Sequence, residues 1–395
     1  MLPLEGIRVL DLSHALAGAA CSNVLGRYGA EVIKVERPEV GDDLRHFGAP
    51  EGLEGMSLSF CSANAGKKSL VLDLKNPASR PVFERLAKTS HILVENFRPG
   101  VTKALGVDWE SVRKINPAIV YCSVTGFGQT GPLRDRTAYD HIVQATAGVM
   151  EANGLGEGPR RLGLPAIDTF SGYFATVGVL AALRRAEKTG EGEFIDVGMI
   201  DAAMTLQAAA VANSLYTGKE PARSRNTAFR VTPTAGVYET ADGHIDIGAN
   251  HQHQVLRMFE ALGIGHLQDD ERFATHPARL QNGQALYEEL VPVFRARTGD
   301  ELEDLLSAVQ VPAAAVRTVP GFSRHPHFEA RELVVDAGVP ARGKALKVMR
   351  GAPKLAKMPA AAGDVPDIGQ HTEQVLRDLG FSDGEIADLR AAEAV

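Results

Sequence analysis

Two hydrophobic periods interleave along the first two hundred residues. Short runs rich in β-branched and aliphatic residues at 7–12, 31–36, 69–74, 92–97, 118–124 and 194–197 predict strands. Between them, apolar positions recur at helical spacing over 15–28, stopped by Gly29, over 81–89, over 170–185, rich in Ala, Gly and Val, and over 199–216. Arg37-Pro38 and Arg98-Pro99-Gly100 close two of the strands. Strands alternating with crossover helices predict an α/β domain, a parallel sheet covered on both faces in the Rossmann-like manner.

The pattern breaks between Thr217 and Pro233 into charged and small residues, which marks a domain boundary. Beyond it, "TAGVYETADGHIDIGA" contains two alternating runs joined at Ala241-Asp242-Gly243, a hairpin signal. Helical periods at 252–262, 282–297 and 300–308 complete a smaller α+β domain, and 369–394 reads as two short helices broken at Gly380-Phe381-Ser382-Asp383. No internal repeat or low-complexity tract interrupts this plan.

Composition narrows the class. A chain of 395 residues has room for two to three domains. With 44% hydrophobic and 23% charged residues it has the make-up of a globular protein, neither disordered nor collagen-like. A net charge of −7 gives no footprint for nucleic-acid binding. Cys21, Cys61 and Cys122 form no CxxC pair, so neither a disulfide framework nor a structural zinc is expected, and a reducing cytoplasm fits. No signal-peptide pattern opens the chain, and no run approaches the roughly 18 uninterrupted apolar residues of a membrane span. The expectation is a soluble, cytoplasmic protein with no membrane or nucleic-acid partner.

Familiar motifs mostly fail. "GFGQTG" (Gly126 to Gly131) has dinucleotide-fingerprint spacing, but Pro132 and Arg134-Asp135-Arg136 follow where a helix should open, so it reads as a glycine-rich loop. The first βα turn, "DLSHALAGAA", has only Gly18. Without the turn glycines, Glu36 at the end of the second strand either pairs with a neighbour or faces solvent. There is no GxxxxGK[ST], HExxH or GxSxG. His251 and His253, two apart, would diverge on a helix, and no metal site is expected.

One carboxylate stands out. In "GLPAIDTFSGYFATVGVLAALRRAEKTG" an apolar approach ends at Asp168 and a helix begins. Aspartate is among the best N-caps. A carboxylate at a helix start is also favoured as an anion by about 0.3–1 kcal/mol, and with a reference pKa of about 3.9 it is ionised at neutral pH. Carboxylates can attack activated carbonyls; the product is an anhydride, so such a site must be dry. Gly163, Ala166, Ser171 and Gly172 would let backbone and substrate approach closely. Cap and nucleophile are both open readings at this point.

Over nearly its whole length the sequence resembles the class III CoA-transferase family, which includes formyl-CoA transferase, carnitine CoA-transferase and the α-methylacyl-CoA racemases. The resemblance is carried, in order, by "LPLEGIRVLDLSHALAGAACSNVLGRYGAEVIKVERP", "NAGKKSLVLDLKNP", "LVENFRPGVTKALGVDWESVRKINPAIVYCSVTGFGQTGP", "YDHIVQATAG", "KTGEGEFIDVGMIDAAM" and "GQHTEQVLRDLGFS". It implies a large discontinuous Rossmann-like CoA-binding domain (1–216 and 331–395), a linker (217–225), a small domain (226–330) and a homodimer of interlocked, ring-like subunits. Its ligand is coenzyme A as acyl-CoA substrate, with no permanently bound cofactor, and its partner substrate is a small carboxylic acid.

The family's nucleophilic aspartate falls on Asp168, with Tyr139 and Asp140 beside it. The CoA positions fall on His14, Ala15, Arg37, Leu72, Asn96, Phe97 and Arg98, with Lys75, Lys103 and Arg45 looser candidates for the phosphates. The implied reaction is ping-pong, through an acyl-aspartyl anhydride and an aspartyl-CoA thioester. The racemase branch carries His-Asp where this chain has Tyr139-Asp140, and His141 stands one residue late, about 100° round a helix. Transfer is therefore expected, with racemisation or CoA transfer within one dicarboxylate as alternatives. Leu16 replaces a glutamine of formyl-CoA transferase, and that enzyme's mobile glycine run has no counterpart in 217–233. This favours a succinyl-CoA-like donor and a dicarboxylate whose distal carboxylate meets Arg134, Arg136, Arg223, Arg225 or Arg230.

Overall fold

A computed structural model describes residues 2–154, 158–219, 234–358 and 361–395. The chain divides into two compact units. One comprises Met1–Asn153, Pro159–Lys219 and Glu329–Val395, the other Gly154–Gly158 and Glu220–Phe328.

In the larger unit, β1 (Arg8–Asp11), β2 (Glu31–Glu36), β3 (Lys68–Val71), β4 (Ile92–Glu95), β5 (Val120–Thr125) and β6 (Glu193–Gly198) form one parallel sheet. Their order is β3-β2-β1-β4-β5-β6. Rossmann-like sheets share this order, and their ligands sit outside the strand C-termini where it reverses, here between β1 and β4.

Successive side chains of a strand face opposite ways. Val9, Val94, Val120 and Cys122 enter one core with α1 (Ala17–Arg27) and the long helix Ala166–Thr189. Leu10, Leu93 and Tyr121 enter the other, with helices Arg80–Thr89 and Trp109–Ile115 and the C-terminal helices Thr372–Asp378 and Asp383–Ala391. The chain end thus returns to cover the sheet that the chain start builds.

The long helix, 24 residues with mean hydropathy 1.4 over its most apolar stretch, is long and apolar enough to cross a membrane by length and composition. Its Ile167, Ala175, Val179 and Leu183 are instead core residues of this unit. A Cβ at Gly172 would lie 2.5 Å from Ala20 Cβ and 2.7 Å from the Ala17 carbonyl oxygen, so glycine permits the close approach to α1.

The second unit has an antiparallel sheet of β7 (Ala235–Glu239), β8 (His244–Gly248) and β9 (Ala313–Ala315), the first two joined as the expected hairpin. Helices Gln252–Leu262, Gly283–Arg295 and Gly299–Ala308 cover it with Val255, Phe259, Leu290, Phe294, Leu302 and Leu306.

The single helix expected over 199–216 is two, Met199–Leu206 and Ala208–Thr217. Between them Gln207 turns its side chain back, Nε2 donating to the Ala147 and Ala203 carbonyls at 2.9 and 3.2 Å. The helix Leu58–Asn64 and the hairpin of β10 (Val334–Val339) and β11 (Lys344–Met349) carried no sequence signal strong enough to mark them. The expected boundary at 217–233 lies mostly outside the described residues.

Candidate active site

The turn after β1 and the segment after β4 meet at the reversal of strand order. The His14 N–H donates to Asn96 Oδ1 at 2.9 Å, and Asn96 Nδ2 donates to the His14 carbonyl at 2.6 Å. They form part of the wall of a cavity of about 700 Å³. Residues 14–17, 96–99, 124–126 and 136–139 line it, with Arg37, Asp43, Lys75, Val101, Arg134, Asp168 and Met199. Five basic side chains, those of Arg37, Lys75, Arg98, Arg134 and Arg136, face only two acids, Asp43 and Asp168. An excess of positive charge in a concave, largely apolar cleft suits a phosphorylated ligand with an apolar arm.

Of the sequence-predicted residues, the cavity gathers His14, Ala15, Arg37, Lys75, Asn96, Phe97, Arg98, Tyr139 and Asp168. It does not gather Leu72, which is 1% exposed in the core beneath the sheet, because strand alternation continues past β3 and turns it inward. Lys103 sits exposed on helix Val101–Ala104 and does not line the cavity. Arg45 is turned elsewhere: it grips the Glu36 carboxylate with two bonds of 2.8 and 2.7 Å and lies 3.7 Å over the Phe60 ring. It is buried and does not line the cavity, so it does not reach a phosphate there. Glu36 is therefore paired and buried, the first of its two open readings. Arg223, Arg225 and Arg230 lie outside the described residues.

Asp168 is not the N-cap of its helix. The helix starts at Ala166, four residues earlier than its periodicity suggests, and Asp168 is its third residue. The cap comes from a different helix, Asp140–Thr146. Asp140 Oδ2 accepts the N–H of Ile167 at 2.7 Å and of Asp168 at 3.0 Å, while Oδ1 accepts from Gln144 Nε2. Gln144 is fixed in turn, its Oε1 accepting the Leu162 N–H at 2.9 Å. Asp140 is thus a buried bracket behind the cavity wall, aiming Asp168 into it.

The same geometry corrects the expectation that Asp168 is freely ionised. Burial, and secondarily the Asp140 carboxylate, push its pKa from 3.8 up to about 7. A rise of that size amounts to roughly 4 kcal/mol against the ionised form, several times the 0.3–1 kcal/mol a helix start returns. The carboxyl that could attack a carbonyl is therefore a destabilised anion, poised near neutrality. Burial lowers the pKa of His14, also on the cavity wall, with Lys34 adding to the effect; its ring lies 5.8 Å from that of Phe97.

Residues not expected at the site complete it. Gly126, the first residue of the glycine-rich loop, lines the cavity, and a Cβ there would fall 2.4 Å from Ala138 Cβ, so the loop's glycine serves close packing. Glu95, 1% exposed behind the wall, accepts the Phe97 N–H at 2.8 Å, and burial pushes its pKa up to about 7. Charged residues inside otherwise apolar strands, such as Lys34, Glu36 and Glu95, were the available signal. His141 stacks on Tyr139, rings 6.2 Å apart, and does not line the cavity. His251 and His253 do not diverge as expected: His251 is the N-cap of helix Gln252–Leu262, off the helical path, and the rings stack at 5.7 Å. Among the described residues no group of histidine, cysteine or acidic side chains could hold a metal ion.

Known proteins are similar to this chain in sequence and fold. The model of CoA-transferase family III matches residues 4–372. A succinate–glutarate CoA-transferase of Agrobacterium fabrum is 36% identical, over 95% of this chain and 96% of that one. A succinyl-CoA–D-citramalate CoA-transferase of Chloroflexus aurantiacus is 33% identical, over 100% of this chain and 98% of that one. The crystal structure of a CAIB/BAIF family protein from Brucella suis superposes with a TM-score of 0.86 at 32% identity, covering 96% of this chain and 99% of that one. With the match running through both sheet-building sections and the capped helix of Asp168, the chain belongs to CoA-transferase family III and is an enzyme of that family.

Proposed function

We propose that the protein transfers CoA from an acyl-CoA donor to a carboxylic acid, with Asp168 as covalent nucleophile. The observation that carries this reading is a half-buried carboxyl, bracketed by Asp140, on the wall of a cavity rich in basic side chains at the switch point of the sheet. The ionised Asp168 attacks the donor thioester carbonyl; the C–S bond breaks, leaving an acyl-aspartyl anhydride and CoA thiolate. The thiolate attacks the aspartyl carbonyl of the anhydride, and the donor acid departs as its carboxylate. The acceptor carboxylate attacks the resulting aspartyl-CoA thioester, and the released thiolate then attacks the acceptor acyl carbon, freeing Asp168. Each intermediate is open to hydrolysis, so exclusion of water matters as much as the nucleophile.

The free N–H groups at the start of α1, whose first residue Ala17 lines the cavity, supply donors for the developing oxyanions. His14, Ala15, Asn96 and Phe97 border the pantetheine arm, and Arg37, Lys75 and Arg98 the phosphates. Arg134 and Arg136 offer charge to a distal carboxylate, which supports a succinyl-CoA-like donor and a dicarboxylate acceptor, the substrate class named in the Agrobacterium fabrum and Chloroflexus aurantiacus relatives. Racemisation is disfavoured because Asp140 is committed to capping two N–H groups and Gln144. Exposed Val177, Leu215 and Tyr216, at 69, 83 and 92%, support a covering partner subunit in an interlocked homodimer. The three free, buried thiols fit the cytoplasm.

The test is a panel of acyl-CoA donors and free acids, read by mass spectrometry for new CoA esters. Glutaryl-CoA formed from succinyl-CoA and glutarate is the expected product, with Arg136→Ala raising KM for glutarate more than for a monocarboxylate. No new ester across the panel, or deuterium uptake at the α-carbon of a 2-methylacyl-CoA instead, would contradict it.

A further inference from the structure

The turn between β1 and α1 holds Ala15 at φ +58°, in the left-handed region that a Cβ disfavours. Two fully buried charges from outside the turn keep it there. Lys34 Nζ donates to the Ser13 carbonyl at 2.7 Å and pairs with Asp42 Oδ2 at 2.7 Å. Asp42 Oδ1 accepts the N–H of Ala15 at 3.0 Å and of Leu44 at 2.9 Å. The Asp42 N–H is itself fixed on Glu36 Oε2 at 3.0 Å. One ion pair therefore ties the carbonyl before His14 and the N–H after it.

Burial alone would raise the Asp42 carboxyl, but Lys34 holds it below its ordinary range; burial alone would lower Lys34, but Asp11, Asp42 and Glu36 hold it above. Both stay charged. A buried pair is a poor source of net stability, because desolvation offsets the attraction. What this pair fixes is direction. Helix α1 follows the turn with no side-chain cap, so its first N–H groups lack helical acceptors, and Ala17 and Asp168 line one cavity.

We propose that Lys34 and Asp42 are positioning residues, whose ion pair holds the left-handed Ala15 and thereby aims the first N–H groups of α1 at the acyl oxygen of intermediates on Asp168. The inference rests on the proposed CoA transfer through Asp168. Neither residue touches substrate; both act through the turn.

Asp42→Asn keeps an oxygen for the Ala15 N–H while removing the charge. Its kcat for CoA transfer falls about 10- to 100-fold, less than the roughly 10²- to 10³-fold of a deleted oxyanion donor because the N–H groups are misaimed and not lost, while donor KM changes less than about threefold. Adding Ala15→Gly, which adopts positive φ without the Cβ penalty, restores kcat about fivefold over D42N alone. Lys34→Gln, which keeps a donor toward Ser13, gives the same kcat loss and replaces D42N should that variant not fold, as judged by circular dichroism. Folded D42N or K34Q with wild-type kcat, or a double variant no faster than D42N, overturns the proposal. If neither single variant folds, the pair is a requirement of the fold, which also overturns a positioning role. Wild-type enzyme that transfers no CoA overturns the reading of Asp168 and this proposal together; wild-type transfer beside an unimpaired D42N overturns this proposal alone.

Discussion

Asp140→Ala removes the bracket that starts the Asp168 helix. It leaves the N–H groups of Ile167 and Asp168 and the Nε2 of Gln144 without their acceptor, in a place where Asp140 is only 8% exposed. Loss of an N-cap costs about 1–2 kcal/mol, and each buried donor left unpaired about 1–3 kcal/mol where water cannot reach it. Partial relaxation of the helix start, which lies beside the cavity, brings the expected total to about 3 kcal/mol, or roughly 5–10 °C in Tm for a unit of this size. Two kinetic effects accompany it. A shift of about 1 Å in the nucleophile lowers kcat by about 10²-fold. Loss of a neighbouring negative charge moves the pKa of Asp168 down, so the rise of kcat/KM with pH, expected near 7 in the wild type, shifts to lower pH. Scanning calorimetry and steady-state transfer between pH 5 and 9 read all three. A variant that melts within 1 °C or so of the wild type and keeps kcat within about twofold would refute the bracket.

Asp168→Asn is expected to abolish transfer and to stabilise the fold at high pH. Because the folded pKa of Asp168 is raised from 3.8 to about 7, the native state holds a proton that the unfolded chain releases, and wild-type stability falls as pH rises through that window. The advantage of D168N in urea unfolding therefore grows by about 2–3 kcal/mol from pH 5 to pH 8; an advantage independent of pH would mean Asp168 titrates normally. Gly172→Ala places a methyl 2.5 Å from Ala20 Cβ and 2.7 Å from the Ala17 oxygen, so α1 is pushed off the long helix at a cost of about 1–3 kcal/mol. Since α1 starts at the cavity, kcat falls as well, and unchanged melting with unchanged kcat would show that the contact has slack.

How much of this was legible in the sequence depended on the length scale of each signal. Periodicity located all six strands of the parallel sheet, because residues such as Val9 and Leu10 must each satisfy a different buried face. The helix over 199–216 was read as one because its break is made by a single glutamine reaching Ala147, sixty residues away in the chain. The start of the Asp168 helix was misread for the same reason: its cap, Asp140, is supplied from another helix, and a local pattern carries no trace of it. Asp168 stood out from its local pattern as cap or nucleophile, and only the family resemblance favoured the second. Its raised pKa was not legible at all, since burial is a property of the folded neighbourhood. Leu72 and Arg45 were misplaced because proximity to a motif does not say which way a side chain turns.

The account stands on a covalent bond to one carboxyl. Enzyme mixed with succinyl-CoA, acid-quenched within its first turnover and digested, is expected to carry succinyl or CoA mass on the peptide spanning position 168, and none in D168N. Wild-type enzyme that turns over succinyl-CoA while that peptide keeps its unmodified mass at every quench time would contradict the account.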